Sequence, residues 1–241
     1  MLISIMYHHV NSDRCSNDLA IFEEHLKYIK NNFKTIFPGE KITKKSVCLT
    51  FDDAYADFYF LIFPLLKKYN LKALLAIPSK YILDDTDELA ESRMNFEHND
   101  LFQNYQKATF CTYKELKQMQ ESGLVVFGSH SHSHINLLEV DVDLDLELRV
   151  SKEILEDKLD TKIESFVFPF GKYNQNILKE AKKYYKYNFR IGNAIHKDFS
   201  GINGAIYRVD GDELTSADEI FKLGKILKYK FKAFIKKLSC R

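Results

Sequence analysis

Short apolar segments alternate along the chain with longer segments in which apolar residues recur every three or four positions. The short segments predict buried strands at residues 2–7, 47–51, 73–77, 125–128, 166–168, 187–191 and 205–209. The longer ones predict helices at residues 19–31, 59–69, 112–122, 143–159, 175–184 and from 217 to the end. This alternation is typical of a parallel sheet covered by helices, so we expect one α/β domain of about eight strand–helix units.

One region breaks the alternation. Residues 84–109 are polar and acidic and show no clear period, so we predict an inserted loop at the mouth of the fold. The helix that follows has both ends marked in the sequence. Thr112 and Glu115 form a Thr-x-x-Glu capping pattern, and Gly123 follows the predicted last turn.

Four groups of chemically distinctive residues directly follow predicted strands. In a parallel barrel every strand-to-helix loop opens on the same face, so catalytic side chains gather there. We therefore expect these groups to lie close together: His8 and His9, Asp52 and Asp53, the histidines from His130 to His134, and the loop 169–174.

The histidine run predicts a metal site. Imidazole combined with carboxylate suits Zn²⁺, Fe²⁺, Co²⁺ or Mn²⁺ rather than Ca²⁺. One Asp and two His leave a tetrahedral ion with an open position for water, which is the arrangement of catalytic rather than structural zinc. Two structural alternatives stay open: Asp52 and Asp53 can cap the next helix, and the run can be a polar loop that binds metal adventitiously.

Composition narrows the class of protein. The 35 Lys and Arg against 34 Asp and Glu give a formal charge of +1, which argues against a nucleic-acid-binding protein that works by bulk charge. A hydrophobic content of 45% indicates a packed globular chain. Four dispersed cysteines, Cys15, Cys48, Cys111 and Cys240, predict free thiols in a reducing compartment. With no visible signal peptide or membrane-spanning run, we expect a location in the cytoplasm or at the cytoplasmic face of a membrane.

Three motifs in order give the chain a family resemblance. Thr50-Phe51-Asp52-Asp53, then His130-Ser131-x-x-His134, then the Phe168–Tyr173 segment FPFGKY resemble the motifs of polysaccharide deacetylases, the NodB-homology enzymes of carbohydrate esterase family 4. The resemblance runs from about residue 2 to residue 209. It implies a distorted (β/α)7 TIM-like barrel that binds one divalent metal and removes N-acetyl groups from amino sugars, or O-acetyl groups from other glycans. Residues 1–215 would form this domain and residues 216–241 a basic amphipathic helix packed on or appended to it.

The resemblance also assigns roles near the metal. Asp53, His130 and His134 match the metal ligands, with Zn²⁺ preferred and Co²⁺, Ni²⁺, Mn²⁺ or Fe²⁺ compatible. Asp52 matches the general base, and adjacent carboxylates on an extended strand end point in different directions, which suits the two roles. His132 has no ligand role in the motif, and we interpret it as a residue behind the ligands or in the wall.

The general acid is less well defined by the resemblance. Tyr7-His8 is similar to an early motif of poly-N-acetylglucosamine deacetylases, which makes His8 the first choice. His196 is the second choice by position, because the Leu-x-His motif that carries the acid in many family members is absent.

The remaining site residues come from the proline motif and from departures from the family pattern. Phe168, Pro169, Phe170 and Tyr173 would line the substrate pocket or help to bind the oxyanion, since the chain has no Trp for that wall. Arg208 is a candidate to orient the base, because the proline motif lacks the usual Arg. Ala54 stands where the family has Gly, which is tolerated unless that residue needs positive φ.

The last segment is amphipathic and basic. Apolar residues at Ile220, Leu223, Leu227, Phe231, Phe234 and Leu238 follow helical spacing among many lysines. We expect them to pack on the barrel, with peripheral contact of residues 220–238 to a membrane surface as the alternative.

The sequence thus predicts a metal-dependent deacetylase of N-acetyl amino sugars in a glycan or lipid-linked saccharide, with a carbohydrate as partner and no nucleic acid. The alternatives are an O-acetyl esterase or deformylase that uses the same site, and a glycan-binding pseudoenzyme.

Overall fold

Seven parallel strands close into a barrel in the computed structural model, which describes residues 1–42 and 45–238. The strands follow the continuous apolar runs: β1 Leu2–Tyr7, β2 Ser46–Phe51, β3 Ala73–Ile77, β4 Val125–Ser129, β5 Ser165–Val167, β6 Tyr187–Ile191 and β7 Ile206–Asp210. The expectation of about eight units is wrong by one, because β7 pairs directly with β1 and closes the barrel. The seven-stranded fold implied by the resemblance is confirmed.

The barrel is irregular at one seam. β1 pairs in parallel with β2 over six residue pairs, from Leu2↔Ser46 to Tyr7↔Phe51. Between β4 and β5 the register reduces to one pair, Ser129↔Phe166. The histidine run follows β4 and the proline motif follows β5. The two strands that lead into these loops are therefore joined by the shortest pairing in the barrel.

Seven α-helices surround the strands: α1 Leu19–Asn32, α2 Phe63–Tyr69, α3 Ala90–Met94, α4 Tyr113–Glu121, α5 Ser151–Leu159, α6 Gln175–Tyr184 and α7 Leu223–Leu238. π-Helical turns at Phe58–Ile62 and Leu146–Val150 lead into α2 and α5. Pro64 lies at the junction between the π-helical turn and α2, where the spacing of the helical hydrogen bonds already changes. The predicted capping box of Thr112 and Glu115 begins α4.

The inserted segment has more structure than predicted. Residues 84–109 contain α3 and two 3-10 turns, so the description as a plain loop is wrong. Arg93 from α3 is buried and donates two hydrogen bonds to Glu115, at 2.6 and 2.8 Å. This ion pair ties the segment to α4, an interaction that no local periodicity in the segment reveals.

The cysteines and the terminal helix complete the fold. Cys48 and Cys111 are buried and Cys15 is half-buried, all as free thiols, while Cys240 lies outside the described residues. Within the described ranges, none of the helices has the length and apolar character needed to cross a bilayer.

Helix α7 packs on the barrel through a different face from the one expected. Tyr229 and Ala233 are buried, whereas the predicted contact residues from Leu223 to Leu238 are exposed. Of the predicted stripe only Ile220, which precedes the helix, is buried. The separation of residues 1–215 from an appended 216–241 stays a prediction.

Candidate metal and catalytic site

A cavity of about 620 Å³ opens at the carboxyl ends of the barrel strands. The loops after β1, β2, β4 and β5 supply its floor and walls. The predicted residues that line it are His8, Asp52, Asp53, His130, His134, Phe168 and Phe170. The structure therefore brings together side chains from four separate motifs, as the common exit face of a parallel barrel requires.

Three side chains in this cavity can share one ion. The Nε2 atoms of His130 and His134 lie 3.5 and 3.2 Å from Oδ1 of Asp53. The three ligand atoms all lie within 4.8 Å of one another. Both Asp53 and His130 are almost fully buried, so a cation here would be held out of bulk water.

The donor set fits a divalent metal. The Nδ1–H of His130 donates a hydrogen bond to the carbonyl of Val167 at 2.8 Å, which leaves the Nε2 lone pair facing the cavity. Burial lowers the pKa of His134 to about 4, so its ring is neutral and able to coordinate at neutral pH. Oδ1 of Asp53 is buried with no hydrogen-bond partner in the described part of the chain. A buried oxygen without a donor is costly, and a cation in this position would satisfy it.

Asp52 is held as a carboxylate by Arg208. The guanidinium of Arg208, itself almost fully buried, donates to both carboxylate oxygens, with Nη2 2.7 Å from Oδ2. Nη1 also donates to Oγ1 of Thr50 at 3.1 Å. Burial alone would raise the pKa of Asp52, but the charge of Arg208 outweighs burial and holds the pKa well below its ordinary value. The structure thus places Arg208 where a base-orienting residue would lie.

His8 lies on the other side of Asp52, in contact with a carboxylate that the sequence analysis did not identify. Its Nε2 is 3.8 Å from Oδ2 of Asp52, and its Nδ1 is 2.6 Å from Oδ2 of Asp212. Asp212 also accepts the backbone N–H of His8 at 3.0 Å. Burial lowers the pKa of His8, but the hydrogen bond and charge of Asp212 outweigh it and raise the pKa to about 10. His8 is therefore protonated at neutral pH in this arrangement.

His196, the alternative acid, lies far from the cavity. It pairs with Leu2 at the start of β1, and its Nε2 accepts the backbone N–H of Tyr207 near the start of β7. These are the amino ends of the strands, opposite the cavity. The candidacy of His196 is wrong, because its imidazole serves as a backbone acceptor at the other end of the barrel.

His9 and His132 also point away from the three ligand atoms. The ring of His9 stacks on Tyr55 with centroids 4.0 Å apart, and its Nδ1 faces Asp57. The Nδ1 of His132 lies 2.9 Å from Oγ of Ser79. His132 thus occupies a position behind the ligand loop, as its interpretation requires.

The proline motif contributes part of the expected wall. Phe168 and Phe170 line the cavity, and the Phe170 ring lies 4.9 Å from that of His134. Tyr173 stacks behind Phe168 and does not line the cavity, and Pro169 is likewise buried outside it. The direct substrate role expected for Pro169 and Tyr173 is therefore wrong, because the loop turns at Phe170, whose φ is +56°.

A family model described as polysaccharide deacetylase matches residues 39–188, more than half of the chain. The chain belongs to the polysaccharide deacetylase family. The predicted family is thereby confirmed.

Curated relatives match this chain over part of its length. A Bacillus subtilis protein named as a polysaccharide deacetylase, YxkH, is 27% identical over 193 residues, which are 74% of this chain and 60% of the relative. The poly-beta-1,6-N-acetyl-D-glucosamine N-deacetylase of Escherichia coli K12 is 29% identical over 93 residues, 39% of this chain and 13% of the relative. The chain thus spans about 60% of one relative and a small part of the other.

A solved structure shows the same fold. The Streptococcus pyogenes deacetylase PplD, determined in complex with acetate, superposes with a TM-score of 0.71 at 23% identity. The match covers 95% of this chain and 96% of that one. The barrel fold is therefore shared almost from end to end.

The inserted segment supplies site residues that sequence reasoning missed. Phe102 stacks on the imidazole of His134, with ring centroids 4.7 Å apart and planes 15° from parallel. His98 and Asn99 of the same segment also line the cavity, as does Tyr81 just before the segment. The aromatic residues of the polar segment were the available signal, since Phe96, Phe102 and Tyr105 need packing partners.

Ala54 adopts the conformation that favours glycine. Its φ is +57°, directly after Asp53 at +70°. Because this position needs a positive φ, the Ala found here in place of the family's Gly costs stability. These two left-handed residues turn the chain sharply after β2, which separates the Asp53 carboxylate from that of Asp52.

Proposed function

We propose that this polysaccharide deacetylase is a metal-dependent hydrolase that removes N-acetyl groups from an amino sugar in a glycan or lipid-linked saccharide. One observation carries the proposal: the ligand set of Asp53, His130 and His134 shares one cavity with the buried carboxylate of Asp52 and the imidazole of His8. Amide hydrolysis needs these three components, an electrophilic centre, a base and an acid.

Asp53, His130 and His134 would hold the metal, with Zn²⁺ preferred and Co²⁺, Ni²⁺, Mn²⁺ or Fe²⁺ compatible. A divalent ion supplies a water of lowered pKa and polarises the acetyl carbonyl. One Asp and two His leave coordination positions for water and substrate.

Asp52 is the base in this proposal. Its Oδ2 faces His8 and His130 across the cavity, at 3.8 and 3.9 Å from their Nε2 atoms. The charge of Arg208 keeps the carboxylate ionised, and the two-pronged hydrogen bond fixes its plane. Asp52 can therefore take a proton from the attacking water without reorientation.

His8 is the acid that protonates the leaving nitrogen. Its Nδ1 is engaged by Asp212, so the Nε2–H points into the cavity. An amine is a poor leaving group until it is protonated, so the acid matters most for amide substrates. The Nε2 of His8 lies 3.8 Å from Oδ2 of Asp52, so the acid and the base can act on the same reacting centre.

Backbone and aromatic groups would hold the acetyl group. The backbone N–H groups of Gly171 and Lys172 already donate to carbonyls within the loop. The backbone N–H of Phe170 is therefore the candidate donor to the oxyanion from this loop. The rings of Phe102, Phe168 and Phe170 form an apolar wall for the methyl group.

Release of acetate from N-acetylglucosamine oligomers tests the proposal. We expect release from the metal-loaded enzyme and a loss of at least 100-fold in Asp52→Asn. O-acetylated and N-formylated sugars serve as parallel substrates. A preference for either one would favour the esterase or deformylase alternative, and binding of the oligomer without turnover would favour a pseudoenzyme.

A further inference from the structure

Helix α7 presents an apolar surface to solvent. We define the apolar stripe as Leu223, Leu227, Phe231, Phe234 and Leu238, which are 48–75% exposed. At about 100° per residue these five side chains fall within roughly 80° of one another around the helix. The buried residues Tyr229 and Ala233 lie on the opposite face. The helix is thus anchored to the barrel by one side and exposes large hydrophobic groups on the other.

Lysines border the apolar stripe on both sides. The helix contains Lys225, Lys228, Lys230, Lys232, Lys236 and Lys237 and no acidic residue. By the same helical geometry, Lys228 lies along one edge of the stripe, and Lys230 and Lys237 along the other. These three lysines are exposed and form no ion pair with any residue in the described ranges. Their ammonium groups are therefore available to anions outside the chain.

An exposed stripe with this border is unlike the surface of an ordinary covering helix. A helix that covers a core turns its large apolar groups inward, whereas α7 uses an Ala and a Tyr for packing and leaves two Phe in water. Exposed Phe and Leu between rows of Lys match the cross-section of a bilayer interface. The apolar groups enter the acyl boundary there, and the ammonium groups meet anionic headgroups.

Helix α7 also adjoins the candidate active site. A smaller cavity of about 220 Å³ lies beside Lys225, Lys228 and Lys232. Asp210 and Asp212 line both this cavity and the larger one that holds the metal ligands. A surface bound by α7 would therefore lie next to the wall of the active site that carries Asp212.

We propose that the apolar stripe and its bordering lysines bind the surface of an anionic lipid bilayer. Binding is peripheral, with the helix in the plane of the headgroups. The proposal does not depend on the chemistry of the active site, because its test measures binding alone.

Co-sedimentation of the full chain with vesicles tests the proposal. We expect binding to vesicles of phosphatidylcholine mixed with phosphatidylglycerol, and binding at least tenfold weaker to phosphatidylcholine alone. Raising the salt from about 0.1 M to about 1 M shortens the Debye length from about 10 Å to about 3 Å, so binding should weaken. Replacing Lys228, Lys230 and Lys237 by Gln should lower the partition coefficient on the order of 100-fold, since each lysine near an anionic surface contributes a factor of about five.

A matched pair of variants separates the stripe from general surface hydrophobicity. Leu227→Gln with Phe231→Gln should lower vesicle binding at least tenfold. Leu89→Gln with Val140→Gln removes two apolar groups elsewhere that are more exposed than Leu227 and Phe231, and it should leave binding unchanged. All four side chains are exposed, so we expect both variants to keep the circular dichroism and melting temperature of the parent.

Three results would overturn the proposal. The first is absence of binding to the mixed vesicles by the parent chain at low salt. The second is equal binding to both kinds of vesicle. The third is a parent chain that is dimeric in solution and becomes monomeric in Leu227→Gln with Phe231→Gln without any change at vesicles, which would make the stripe an interface between two copies.

Discussion

Replacement of Arg208 by Met tests whether the buried ion pair exists to keep Asp52 charged. Met has a similar length and no charge, so the variant removes both hydrogen bonds to Asp52 and leaves a carboxylate that is 3% exposed. Removing one partner of a buried ion pair typically destabilises a protein by about 3–5 kcal/mol. At 1.36 kcal/mol per pKa unit, this corresponds to a rise of roughly 2–4 units in the pKa of Asp52.

The direction of the pH dependence follows from this shift. In the parent chain the lowered pKa of Asp52 stabilises the fold above the unfolded value of about 3.9, and that contribution is lost as the pH falls through the folded pKa. In Arg208→Met, burial is opposed only by His130 and His8, so the pKa of Asp52 rises. The loss of stability relative to the parent should therefore be largest near neutrality and should close only as the pH falls well below about 3.9, through the lowered folded pKa of the parent. The acidic limb of kcat/KM should move to higher pH, because Asp52 must be ionised to act as a base.

A matched control is available in the same chain. Arg93 and Glu115 form a second buried, two-pronged ion pair, outside the candidate active site. Arg93→Met should lower the free energy of unfolding by a similar amount. It should leave the pH profile of kcat/KM unchanged.

The assay combines urea unfolding across the pH range, with chelator present to remove metal effects on stability, and acetate release by the metal-loaded enzyme. An Arg208→Met variant whose stability deficit is independent of pH, or whose pH profile matches that of Arg93→Met, would refute the reasoning.

Three further predictions concern the base and the acid. Asp52→Asn should keep the metal and lose about two to four orders of magnitude in kcat. If this variant lost the metal while Asp53→Asn kept it, Asp52 would be the metal ligand and Asp53 the base. His8→Ala should slow hydrolysis of an acetamide about 100-fold or more but that of an activated aryl acetate far less, because an aryl oxide leaves without protonation; equal losses would give His8 a structural or binding role. Asp212→Asn removes the hydrogen bond and the largest of the charges that raise the pKa of His8 and leaves only those of Asp52 and Asp53. The pKa of His8 should therefore fall, and the basic limb of amide hydrolysis should move to lower pH. An unmoved limb would show that Asp212 does not control His8.

Much of the barrel is predictable because buried parallel strands have a simple pattern. Three strands, residues 2–7, 73–77 and 187–191, agree with the structure at both ends. Residues 73–77 and 187–191 are flanked on both sides by polar or turn residues, so the pattern limits their length. Closure of the barrel is not predictable in this way, because the direct pairing of β7 with β1 depends on the geometry of the whole sheet. The alternation of strand and helix segments does not show it, and the expected number of strand–helix units was therefore too high.

The site was partly predictable for a related reason. Motif residues at strand ends converge because every strand exits on one face, so Asp53 and His134 meet despite their separation in sequence. Asp212 carries no such mark. It is one Asp in an acidic turn, and its contact with His8 spans 204 positions and depends on barrel closure.

The orientation of α7 shows what helical periodicity leaves undetermined. A stripe at spacing of three and four predicts an amphipathic helix whether its partner is a protein core or another surface. The chain uses the smaller residues Ala233 and Ile226 with Tyr229 for packing, and leaves Phe231 and Phe234 exposed. Periodicity gave the helix correctly and its packed face wrongly.

The metal content of the purified protein tests the central claim most directly. After reconstitution with Zn²⁺ and removal of excess ion, elemental analysis of the parent chain and of His132→Ala should each find about one equivalent, whereas His134→Ala should bind far less. This result follows from the geometry, in which the Nε2 of His134 faces Asp53 while His132 faces Ser79. A parent chain that retains no divalent ion, or a His132→Ala variant that loses its ion as completely as His134→Ala, would contradict the account.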